Sequence, residues 1–67
     1  MKTVTKEYLD GIKDGRAFLN AFPECCAADC LRNTTDTARL FDAQNPVGQF
    51  LRGERDFWKL QVKNRSE

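Results

Sequence analysis

Three cysteines crowd into six residues, Cys25, Cys26 and Cys30, and they are the first groups to weigh for chemistry. Zinc takes four ligands at characteristic spacing, and this chain has no histidine and no second cysteine cluster, so no metal is expected. Nucleophilic catalysis needs a base beside the thiol, and none accompanies these residues. The only serine, Ser66, stands next to the last residue. Glu24 and Asp29 also oppose thiolate formation at Cys25 and Cys26. Two neighbouring cysteines rarely bridge, and on a helix the remaining pair would share one face in poor disulfide geometry. Three free thiols in a reducing setting are therefore expected, with Cys26 and Cys30 serving as small core or near-core hydrophobes.

The carboxylates Asp10 and Asp14 lie four residues apart, as a paired acid and base would, but Lys6 and Lys13 flank Asp10 at helical spacing. That arrangement describes a solvated charged face. Neither a phosphate loop nor a dinucleotide fingerprint occurs, since Gly11 and Gly15 fall inside a helical pattern. No catalytic residue and no cofactor is assigned, and the chain is expected not to be an enzyme. What remains is a basic edge, Arg52, Arg55, Lys59 and Lys63, running beside Trp58. Arginine and tryptophan are the types most often found at interface hot spots, so Arg52, Arg55, Trp58 and Lys59 are the expected partner-binding residues. Glu54 and Asp56 dilute the edge below the density of a dedicated nucleic-acid helix.

Helices must position these groups. Tyr8, Ile12, Gly15, Leu19 and Phe22 form an apolar stripe at spacings of four and three, which predicts a helix over 5–20 with Thr5 as its N-cap, a Val4–Leu9 staple and Asn20 as its stop. A glycine in a helix interior costs about 1 kcal/mol against alanine, so Gly11 and Gly15 mark a face that something approaches closely. Gly15, lying in the stripe, is expected to be the tighter of the positions when compared with Gly53. Pro23 and Pro46 each stand where a helix can begin, the second behind Asn45 as N-cap. The second block, with Ala27, Leu31, Thr34, Ala38 and Phe41, has a face of small residues that suits the glycine face of the first, so these two are expected to pair as a hairpin. Asn33-Thr34-Thr35-Asp36 has poor helix propensity and predicts a kink. The third block carries Val47, Phe50, Leu51, Phe57, Trp58, Leu60 and Val62 in two adjacent rows and supplies the core volume.

A chain of 67 residues with 40% hydrophobic content is one small all-α domain, a three-helix arrangement, with a dimerising helical hairpin as the rival. The net charge of +1 is unevenly placed, acidic in the middle and basic toward the end. No apolar run has the length of a secretory signal or a membrane span, so a cytoplasmic location without membrane contact is expected.

The segments Pro46-Val47-Gly48-Gln49-Phe50-Leu51-Arg52-Gly53-Glu54-Arg55-Asp56-Phe57-Trp58, Tyr8-Leu9-Asp10-Gly11 and Asp14-Gly15-Arg16 resemble short uncharacterised helical proteins of tailed bacteriophages. The resemblance implies a protein that binds and blocks or redirects a host protein in the host cytoplasm. The alternatives are a nucleic-acid accessory protein using the basic edge, and a structural component that assembles with copies of itself, beginning with a homodimer.

Overall fold

The computed structural model describes residues 5–42 and 44–65, which form three helices: α1 Lys6–Ala21, α2 Ala27–Ala38 and α3 Pro46–Arg65. Two of the helix starts follow directly from side-chain caps. The Thr5 hydroxyl oxygen accepts from the Tyr8 amide at 3.1 Å, and the hydroxyl donates to Gln49 Oε1 at 3.4 Å, tying the start of α1 to α3. Asn45 Oδ1 accepts from the Val47 amide at 2.8 Å, with Pro46 in the first helical position as expected. Val4 lies outside the described residues, so the expected staple does too.

Pro23 does not begin a helix. The Cys25 amide donates to the Phe22 carbonyl at 3.0 Å, closing a turn in which Pro23 takes the second place, where its fixed φ also fits. The second helix starts later, with Cys26 as N-cap, and α1 runs one residue past Asn20 to Ala21. No break occurs at Asn33: the Thr37 hydroxyl donates back to the Asn33 carbonyl at 2.9 Å, one turn earlier, which absorbs a polar side chain without interrupting α2.

The expected pairing of α1 with α2 is overturned. Each packs on α3, and they make no helix contact with one another. The partner of the glycine face is a matching glycine on α3. A Cβ on Gly11 would overlap the Phe50 carbonyl oxygen and reach Glu54 N at 3.0 Å, while a Cβ on Gly53 would overlap the Tyr8 carbonyl oxygen and reach Ile12 N at 3.2 Å. The two backbones touch there. Gly15 instead faces the Phe57 ring, whose Cδ2 stands 2.7 Å from an added Cβ, so Gly53 is the tighter position and the expected order is reversed. Small residues on α2 serve α3 as well, with Ala27 and Ala38 both buried.

On α3, Gly53 and Phe57 face α1, meeting Tyr8 and Gly15, while Trp58, about 100° further round, reaches both Phe18 of α1 and Ala27 of α2. The core that results is small. Ala27, Phe57 and Trp58 form its buried centre, with Ile12, Leu19, Cys25, Cys30, Leu31 and Val62 packed around them. Among the described residues no helix is long and apolar enough to cross a membrane.

Candidate functional site

The basic edge of α3 divides into residues that face solvent and residues that do not. Trp58 is 3% exposed and stacks edge-to-face on Phe57 at 5.1 Å between ring centroids, so the indole belongs to the core. Arg55 folds onto the neighbouring Asp56: its Nε and Nη2 donate to Asp56 Oδ1 at 3.2 and 3.1 Å. The other Asp56 oxygen accepts from the Tyr8 hydroxyl, and that hydrogen bond, followed by burial and the Asp56 charge, raises the Tyr8 pKa against the opposing pull of Arg55. Arg55 is thereby engaged in a network that joins α3 to α1. Arg52 is half-buried, and its Nε is enclosed with no hydrogen-bond partner among the described residues. Lys59 and Lys63 are exposed. The four residues expected to bind a partner are thus not one surface: Trp58 is internal, Arg55 is paired, Arg52 is half-enclosed, and Lys59 stands free.

Aromatic side chains lead out of the core on the other side of Trp58. Phe18 meets the indole edge-on at 6.0 Å, and Phe22, one turn further along α1, lies 5.0 Å from Phe18. Phe18 is 44% and Phe22 57% exposed. Together with Ala21, Pro23, Glu24 and Cys25 they line an open apolar groove of about 490 Å³ where α1 gives way to the Pro23 turn. The sequence stripe included Phe22 with the buried face, but α1 ends at Ala21 and Phe22, its C-cap, is left exposed. Other exposed apolar residues, such as Leu40 and Leu9, stand apart on a surface that carries single apolar side chains as a matter of course.

One titratable pair also crosses the α1–α3 seam. Glu54, half-buried beside Gly11, is raised to about 8 by burial and then by its hydrogen bond to Asp14 and that carboxylate's charge. These causes all favour the protonated Glu54 carboxyl, the form that can share a hydrogen bond with the Asp14 carboxylate. Asp14 was expected to sit on a lysine-laced solvated face of its own helix, and the forty residues separating it from Glu54 hide this contact from sequence spacing. Among the described residues no group of three or more acidic, cysteine or histidine side chains is placed to hold a metal.

No protein-family model, curated protein or solved structure matches this chain.

Proposed function

We propose that this chain is a small, non-enzymatic protein-binding module that acts by covering part of a partner's surface. The exposed Phe18–Phe22 pair beside its apolar groove carries this reading. Phe18, held by α1 and packed on the buried Trp58, in turn supports Phe22 at the helix cap, so a partner's apolar side chain that enters the groove meets pre-ordered rings at little entropic cost. The open lysines Lys59 and Lys63 add a positive surface that orients an acidic partner without supplying much affinity. The phage-like character of the sequence suggests a bacterial host protein as the partner.

Capture from bacterial lysate with the wild-type chain and with Phe22→Ser as paired baits tests this. A protein retained by the first and lost by the second supports it, and a protein held equally by both removes the groove. Mass that rises with concentration would favour self-assembly instead, and salt-sensitive binding to random DNA would favour the nucleic-acid reading.

A further inference from the structure

The cysteines are not arranged as one helical segment would arrange them. Cys26 is the N-cap of α2, which places Cys25 just before the cap and Cys30 at the fourth helical position. Side chains at those two positions meet across the first turn, the arrangement that a hydrophobic staple uses. Both are half-buried and pack against the same centre of Ala27, Phe57 and Trp58, whereas Cys26 is exposed. Cys25 is also held from both sides: its amide donates to the Phe22 carbonyl at 3.0 Å, and its carbonyl accepts from Arg65 Nη1 at 3.1 Å. The Cys30 amide donates to the Cys26 carbonyl at 3.0 Å, which fixes the other end of the turn.

We propose that Cys25 and Cys30 are a site of oxidative modification, a dithiol pair that closes to an intramolecular disulfide on reaction with a low-molecular-weight disulfide, leaving Cys26 free. Of the two, Cys25 lines the open groove and is the one placed for a small molecule to reach first. Burial, and next the neighbouring Cys25, raise the Cys30 pKa and keep that thiol protonated until it is used. The Cys25 thiolate attacks one sulfur of the small disulfide, forming a mixed disulfide. The first small thiolate leaves and takes up the proton that Cys25 lost. Cys30 then releases its proton to solvent and attacks the Cys25 sulfur, and the second small thiolate leaves and is protonated in turn. Two protein thiols are oxidised by two electrons, and one small disulfide is reduced to two thiols.

Glutathione disulfide is the probe, with intact mass and thiol titration under denaturing conditions as readouts on the wild type and on Cys26→Ser, Cys25→Ser and Cys30→Ser. The wild type should lose two hydrogens, with exposed Cys26 outside the bridge as a thiol or carrying one glutathione, and Cys26→Ser should close equally with no thiol and no adduct. Cys25→Ser and Cys30→Ser should carry glutathione adducts without closing. Because Cys26 is exposed, its variant keeps the test sound even if either half-buried replacement unfolds the chain. Closure that survives in Cys30→Ser, closure that fails in Cys26→Ser, or three thiols remaining in the wild type would each overturn the assignment.

Discussion

Gly53→Ala is the substitution that separates backbone contact from ordinary side-chain packing in this fold. The added methyl would overlap the Tyr8 carbonyl oxygen and lie 2.9 Å from its carbon and 3.2 Å from Ile12 N. None of these atoms can turn aside, so α1 and α3 must separate, by roughly 1 Å to restore normal contact distance. A gap of about that size forfeits between a quarter and a half of the dispersion energy of each contact along the seam. Overpacking costs typically 1–3 kcal/mol where side chains can adjust, and the upper end applies where the neighbour is backbone. Alanine returns about 1 kcal/mol of helix propensity. A net loss of about 2 kcal/mol is therefore expected, a large share of the roughly 3–5 kcal/mol that one core of this size supplies. Gly15→Ala meets the Phe57 side chain, which can give where a carbonyl cannot, and should cost less than Gly53→Ala, about 1 kcal/mol after the same propensity gain. Urea unfolding followed by the fluorescence of Trp58, the single tryptophan and a buried one, measures both. A Gly53→Ala protein as stable as wild type, or one less perturbed than Gly15→Ala, would refute the glycine-to-glycine seam.

Glu54 predicts a pH dependence with a definite sign. Below about pH 4.5 the carboxyl is protonated in both states, and as pH rises toward about 8 the unfolded chain gives up the proton that the fold retains, so stability declines through that window and levels above it. Full conversion of the shift would overstate the effect for a half-exposed pair. After solvent screening, about 1–2 kcal/mol is expected, so Glu54→Gln should match wild type near pH 4 and exceed it by that amount at pH 9 in parallel urea titrations. Asn45→Ala removes the cap bond to the Val47 amide and should lower stability by about 1 kcal/mol in the same assay.

The helix starts at Thr5 and at Asn45–Pro46 were legible because a cap is a local device, written within four residues. Pro23 was misread because proline serves equally at the first helical position and at the second place of a turn, and only the bond from Cys25 to Phe22 decides between them. Glycines announced a close approach but not its partner: Gly11 and Gly53 meet across forty-two positions, and nothing local distinguishes α3 from α2 as the neighbour. The same limit hid Asp14–Glu54. Trp58 was placed beside an accessible edge because two adjacent apolar rows on α3 read as one broad face, whereas α3 packs on both other helices and Trp58 is covered by Phe18 of α1 and Ala27 of α2. Cys25 left its expected helix face once the Pro23 turn was in place, which is what brings it toward Cys30.

The protein-binding reading is tested most directly by the affinity of the captured partner for the wild type, for Phe22→Ser and for Lys59→Glu, measured at equilibrium with the melting temperature of each. Both residues are exposed, and replacing them should change stability by no more than about 0.5 kcal/mol. If the groove is the contact, Phe22→Ser weakens binding by about thirtyfold, the scale of an aromatic hot spot worth 2 kcal/mol, while Lys59→Glu weakens it only a few-fold and mainly through the association rate. Undiminished binding by a fully folded Phe22→Ser protein would contradict the account.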